Sequence, residues 1–183
     1  MLEAARALFE ERSAQAVKLE DVAGRAGVSR QSVYLHFGSR AGLLLALVAH
    51  VDESGPLGEL SGRVTRARTG ADVLDAALSV QADYWPSIYR IARAFDEARR
   101  ADAAIAEAWD DRMERRRASC RSVVERLADA AELDPRWTVD DAADVLWALT
   151  SMRTWEDLVI DSGWSRDRYV DCLSTAAKRT LLA

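Results

Sequence analysis

The chain has 183 residues, of which 49% are hydrophobic and 30% charged, with three Pro, nine Gly and a net charge of −5. That balance excludes a disordered or collagen-like chain and favours a helical globular one. No apolar run approaches the ~20 residues of a membrane-spanning helix. No basic-then-apolar leader opens the sequence, so a cytoplasmic location is expected.

In chain order, the apolar spacing predicts a first helix over about Leu2–Glu11, then two short helices within residues 19–37. A fourth starts near Arg40, with Leu43, Leu44, Leu47, Val48 and Val51 on one side, and breaks at Ser54-Gly55-Pro56. Residues 57–70 carry Gly58, Gly62 and Gly70 and read as a short helix and loop. A helix is expected from about Ala71 to Trp85, and another with Pro86 in its first turn, ending near Arg99-Arg100. A long helix over about Asp102–Ala131 stops before Asp134-Pro135. Thr138 then reads as an N-cap with Asp141 three residues on, opening a helix that runs to about Asp161; Ser162-Gly163 ends it and Ser165 caps the last helix. The fold class is therefore all-α, divided into residues 1–47 and 48–183.

The stretch Leu19–Leu44 carries the functional signal. Val22 and Ala23 lie on one short helix, and Gly27 follows four residues after Ala23, where a tight helix-to-helix turn demands a positive φ. Ala23 is small enough for two helices to cross closely. Val22, Val28, Val33 and Phe37 are expected to share one small core, and Ser29 is suited to cap a second helix starting near Arg30. With Val33 and Phe37 inward, rotation of roughly 100° per residue turns Gln31, Ser32, Tyr34 and Leu35 outward, with Arg30 and His36 on the flanks. Those side chains suit a major groove: Gln for adenine, Arg for guanine, Ser and Tyr for phosphate, Leu for a thymine methyl. The alternative is an ordinary two-helix corner, with Gly27 a simple C-cap and Tyr34 a half-buried aromatic.

Val22-Ala23, Ala26-Gly27-Val28-Ser29-Arg30, Val33-Tyr34-Leu35-His36-Phe37, Ser39-Arg40 and Leu43-Leu44 together resemble the tetracycline-repressor (TetR) family, as does Ala5-Arg6-Ala7-Leu8-Phe9 for its first helix. The resemblance is dense over about the first fifty residues. It implies a homodimeric regulator, most often a repressor, with an N-terminal three-helix helix-turn-helix domain on operator DNA and a larger helical domain for dimerisation and a small effector. It places Tyr34 and His36 near phosphates or bases and Arg40, where the family usually has Lys, beside the DNA backbone. Three departures stand out. Lys18 occupies the place of a capping Thr, although Lys can itself approach phosphate. Gly38 replaces the usual residue after His-Phe and is expected to loosen the joint to the next helix. Met1-Leu2-Glu3 begin the first helix directly, so either a minor-groove contact by a basic arm is absent or the sequence is part of a longer chain.

Charge divides unevenly: residues 1–50 hold six basic and five acidic side chains, a net +1, leaving −6 for the rest. Such a weakly basic module needs well-placed cations and a second copy to hold DNA.

Beyond it, Val145, Leu146, Leu149, Met152, Trp155, Leu158 and Val159, and then Tyr169, Val170, Leu173, Ala176, Ala177 and Leu181, form apolar faces on the last two helices. They either pack on their own core or pair with a second copy in a four-helix interface. Tyr84, Trp85, Tyr89, Phe95, Trp109, Trp147 and Trp155, with Met113 and Met152, are either core or the wall of a pocket for a small apolar or aromatic effector. The run Arg115-Arg116-Arg117 reads as a solvated helix face, with anion binding as the alternative. Cys120 and Cys172 form no CxxC pattern and are expected to be reduced thiols.

No cofactor or metal is expected. His36 and His50 are not spaced for metal binding with each other or with either Cys, and no Glu-x-x-His pair occurs. An enzyme is therefore not expected, and a helical-bundle enzyme is the weakest alternative. The other is a helical interaction or dimerisation protein without operator binding, to which Lys18, Gly38 and the weak charge lend support.

Overall fold

The computed structural model describes residues 1–12, 16–54 and 57–183, with only the backbone described at Ser54 and residues 57–61. Ten α-helices are described: α1 Leu2–Glu11, α2 Leu19–Ala26, α3 Arg30–Phe37, α4 Arg40–Ser54, α5 Leu57–Arg66, α6 Gly70–Ala98, α7 Ala103–Asp129, α8 Val139–Leu149, α9 Met152–Trp155 and α10 Arg166–Leu181. There is no strand among the described residues. No single described helix is long and apolar enough to cross a membrane.

The helices gather into two compact units, Met1–Gly55 with Ser87–Arg112, and Pro56–Pro86 with Met113–Ala183. In the first, α1, α2 and α3 pack on one another and on α4, whose Leu43, Leu44, Leu47, Val48 and Val51 are all buried as their spacing predicts. Ala5, Leu8 and Phe9 of α1 complete that core. His50 Nε2 lies 2.6 Å from Glu3 Oε1, tying α4 to α1, and that contact holds the Glu3 carboxyl below its usual range. The same unit pairs Arg112 of α7 with Asp52 of α4 through both carboxylate oxygens, and Phe95 packs against Trp109 at 5.8 Å.

The second unit is built around Leu74, Leu78, Trp85, Val124, Leu127, Leu146, Trp155, Tyr169 and Leu173. Arg126 of α7 donates to the carbonyls of Val64 and Ala67, capping the open end of α5. Asp83 of α6 accepts from Arg63 of α5 and Arg166 of α10, both at 2.7 Å, and Arg166 also reaches Ser79 at 2.8 Å. Burial pushes the Asp83 carboxyl up, but its two arginine partners outweigh that and hold it below the ordinary 3.8. A depressed folded-state pKa contributes stability above the unfolded value and loses it as pH falls through the folded one. Asp83→Asn is therefore expected to cost about 1 kcal/mol at pH 7. The gap to the parent should close below about pH 4 in chemical denaturation; a pH-independent gap would contradict the ion-pair account.

Two boundaries differ from the sequence expectation. Pro86 does not open a helix but lies inside α6. Its ring is exposed, while Ala82, whose carbonyl a proline cannot serve, is fully buried. The helix opened by Thr138 stops at Leu149, because the Thr150 hydroxyl turns back to the Leu146 carbonyl at 2.8 Å and Ser151 caps a new turn. From there α9 passes into a π-helical segment, Glu156–Asp161, in which the Ser162 N–H bonds the Asp157 carbonyl. Residues 57–66 form the short helix expected there, and a loop follows it. Of the break at Ser54-Gly55-Pro56, Gly55 and Pro56 lie outside the described residues. The Thr138 and Ser165 caps form as predicted, accepting from Asp141 N at 3.1 Å and Arg168 N at 3.2 Å.

Candidate nucleic-acid interface

The interface is assembled by two tight turns. Lys18 precedes α2 and offers no side-chain acceptor, so the cap is supplied from within the helix: the Asp21 carboxylate accepts the Lys18 backbone N–H at 3.0 Å. Gly27 ends α2 at φ 67° and ψ 29°, the left-handed region that favours glycine. Ala23, 4% exposed, lies under that turn. The Ser29 hydroxyl then accepts from Ser32 N at 3.1 Å and opens α3.

Within α3, Val33 and Phe37 are buried, and Gln31, Tyr34, Leu35, Arg30 and His36 are exposed, with Ser32 half-buried. Val28 does not join the core with Val22 and Val33: it stands in the turn outside the helix pair and is 37% exposed. Leu35, at 80%, is the most exposed large apolar side chain described.

The flanks are held by ion pairs that join residues far apart in sequence. Glu11 accepts two bonds from Arg25, at 2.5 and 2.7 Å, fastening α2 to α1. Glu20 of α2 pairs with Arg30 of α3 at 2.7 Å, and the Arg30 guanidinium lies 5.3 Å from the centre of the Tyr34 ring. Tyr34 and Glu20 together push the Arg30 pKa up. His36 stands edge-on to Phe37 at 4.8 Å.

After α3 the chain turns through Gly38, at φ 70°, a conformation that glycine favours. The axes of α3 and α4 meet at 72°. Ser39 Oγ accepts from Gly42 N at 3.1 Å, and Arg40 sits half-buried at the start of α4. A side chain at Gly42 would run into the backbone carbonyl of Phe37, so the angle between α3 and α4 depends on the absence of a Cβ there. Neither Gly42 nor Glu20 stood out in the sequence: an isolated glycine in a helical pattern reads as a weakness, and a partner across two helices has no local signature.

The aromatic set divides between the units. Tyr89, Phe95 and Trp109 belong to the first; Tyr84, Trp85, Met113, Trp147, Met152 and Trp155 belong to the second. Tyr84, Trp85, Phe95 and Trp155 are buried, and the other five are half-buried. In the second unit Arg116 donates to Trp147 O at 3.0 Å and Thr150 Oγ1 at 2.7 Å and lies 5.1 Å over the Trp147 ring. It is thus drawn inward rather than solvated, because the carbonyls at the end of α8 need a donor. Arg117 follows it onto Trp147, at 4.7 Å. Tyr169, fully buried, packs edge-on against Trp155 at 5.1 Å with its hydroxyl unpartnered, as are the indole N–H groups of Trp85 and Trp147. Of the two apolar faces on the last helices, Leu146, Trp155, Tyr169, Leu173, Ala177 and Leu181 are buried. Val145, Leu149, Leu158, Val159, Val170 and Ala176 stay partly exposed. Beside them, Arg168, Asp171, Cys172, Thr175 and Arg179 line an open groove along α10.

Residues 1–47 match the family described as "Bacterial regulatory proteins, tetR family". No curated protein matches the chain in sequence. Among solved structures, the chain is similar to NalD, the secondary repressor of the MexAB-OprM multidrug efflux pump in Pseudomonas aeruginosa, with 24% identity and a TM-score of 0.70 over 99% of this chain and 94% of that one. It is similar to a putative transcriptional regulator from Saccharomonospora viridis in complex with choline, with 16% identity and a TM-score of 0.85 over 100% and 95% of the two chains. A third is the regulator FadR from Bacillus subtilis in complex with stearoyl-CoA, with 13% identity and a TM-score of 0.78 over 96% and 95%. Residues 1–47 thus carry the N-terminal domain of the tetR family, and the chain as a whole has the fold of those solved structures.

Proposed function

We propose that the protein is a homodimeric transcriptional repressor, released from a palindromic operator by a small-molecule effector. Residues 1–47 form the DNA-binding part and residues 48–183 the effector and dimerisation part. The observation that carries this reading is the outer surface of α3, where Gln31, Tyr34 and Leu35 stand exposed beside Ser32 on a helix braced from behind by Val33 and Phe37. Gln31, Ser32 and Leu35 face base edges; Ser29, Tyr34 and His36 face sugar and phosphate; Lys18, Arg30 and Arg40 supply charge. DNA as partner places the protein in the cytoplasm, in a binding rather than an enzymatic role.

Two copies pair through the last two helices, where Val145, Leu149, Leu158, Val159 and Val170 leave apolar surface outside the subunit's own core. A two-fold dimer then sets its α3 helices in successive major grooves, one helical turn or a multiple apart. The effector site lies among Tyr84, Trp85, Met113, Trp147, Met152 and Trp155. What supports it is the set of buried donors without partners, Trp85 Nε1, Trp147 Nε1 and Tyr169 Oη, which a ligand bearing acceptor oxygens would satisfy. Choline and stearoyl-CoA, held by two of the similar structures, are the first probes to try. Adding a true effector to the dimer–operator complex is expected to free the DNA with the dimer mass unchanged. A ligand-bound dimer with unaltered operator affinity contradicts the repressor mechanism.

The DNA contacts are tested by substitution. Gln31→Ala is expected to weaken operator binding roughly 5- to 150-fold and to relax selectivity at one base pair. Lys18→Ala and Arg40→Ala should each weaken all duplexes alike and lower the slope of log affinity against log salt by about one per site. Unchanged affinity in all three variants, with folding intact by circular dichroism, removes α3 as the reading element.

A further inference from the structure

Three of the five large apolar side chains exposed among the described residues lie within eight positions of one another: Val28 at 37%, Tyr34 at 40% and Leu35 at 80%. A single exposed leucine needs no explanation, but three such side chains on α3 and the turn before it do. At roughly 100° per residue, the buried side of α3 is centred between Val33 and Phe37, and the direction opposite it falls on Leu35. Gln31 stands about 40° from that pole and Ser32 about 60°. Arg30 lies toward the buried side, joined to Glu20 and stacked on Tyr34. The pole of α3 is therefore uncharged, and Arg30, the one arginine on the helix, lies away from it.

An uncharged pole suits a base-pair edge rather than a phosphate row. In the major groove a G·C pair presents three polar groups and no methyl, and Leu35 pressed on them would strip their water and return no hydrogen bond. An A·T pair presents the thymine methyl, an apolar surface that Leu35 fits, and an adenine edge that a glutamine can hold through N6 and N7.

We propose that the operator half-site places A·T pairs under the pole of α3, with a thymine methyl packed on Leu35 and an adjacent adenine held bidentately by Gln31. The assignment rests on the reading of α3 as the recognition helix. It makes base composition at the centre of each half-site a consequence of the exposed leucine.

The test starts from the duplex that the full-length protein enriches from random sequence. Each half-site thymine is replaced in turn by deoxyuridine, which differs only in lacking the methyl group. One position should lose affinity by about fourfold per half-site, the value of one buried methyl, and more than tenfold when both half-sites are changed. Leu35→Ala should bind the thymine and uracil duplexes equally; the side chain is too exposed for its loss to disturb the fold. In the same way 7-deazaadenine, which lacks the N7 acceptor, should weaken the parent and leave Gln31→Ala indifferent. Uracil tolerated at every position, or G·C pairs enriched at the centre of the half-site, overturns the base assignment alone. No enrichment of any duplex by the folded protein removes the assignment together with the recognition-helix reading beneath it.

Discussion

Gly42→Ala is expected to cost the N-terminal helices about 1–3 kcal/mol and to reduce operator affinity by at least two orders of magnitude. The added Cβ would overlap the Phe37 carbonyl oxygen and lie 3.1 Å from its carbonyl carbon. Both belong to backbone, so no rotamer change relieves the clash. The strain must open the 72° joint between α3 and α4, and with it the angle at which α3 is presented. Because α4 is anchored by Leu43, Leu44 and Leu47, all at 1% exposure or less, α3 is the part that moves. A misplaced reading head loses its base and phosphate contacts together, which is why the effect on binding exceeds that on stability. Thermal unfolding followed by circular dichroism and an operator titration read the two effects separately. A variant with parental melting temperature and affinity would show that the joint is not fixed by Gly42.

Tyr169 gives the second large effect, with opposite signs for two substitutions. Tyr169→Ala empties a fully buried aromatic site against Trp155 and should cost about 3–5 kcal/mol. Tyr169→Phe keeps the ring and removes only a hydroxyl that has lost water and found no protein partner; it should be neutral or stabilising by up to about 2 kcal/mol. Burial pushes the phenol up to about 12, against a weaker opposing pull from Arg116. A raised folded-state pKa contributes stability below the unfolded value of 10 that is lost as pH rises toward the folded one. The parent should therefore lose about 2 kcal/mol relative to Tyr169→Phe between pH 10 and 12. Chemical denaturation across that range measures the difference. A destabilised Phe variant at neutral pH would mean that the hydroxyl has a partner after all.

The parts of this molecule that were legible in its sequence are those decided within one turn of backbone. Gly27, Ser29, Thr138 and Ser165 act on groups three or four residues away, and each does so in the structure. The apolar rows of α3 and α4 were legible for the same reason: helical spacing alone assigns Val33 and Phe37, and Leu43, Leu44 and Leu47, each to one side. Tertiary choices were not legible. Pro86 lies inside α6 rather than opening a helix, and Thr150 ends α8 by folding its hydroxyl back while Arg116 arrives from another helix. A run of three arginines looks solvated until the carbonyl at Trp147 is seen to need one of them. Of the reading surface, the exposed positions on α3 followed from rotation. The bracing by Glu11 and Glu20 and the requirement at Gly42 depend on distances between helices, which spacing along one helix does not encode.

The central claim is that α3, carried by residues 1–47, reads operator DNA as part of a dimer. The most direct measurement is selection of random duplexes by the purified protein, followed by titration of the enriched duplex at two salt concentrations with the stoichiometry determined. The account predicts a palindrome bound by two copies, a clear fall of affinity with salt, and loss of selectivity in Gln31→Ala. A folded protein that enriches no duplex at low salt would contradict it.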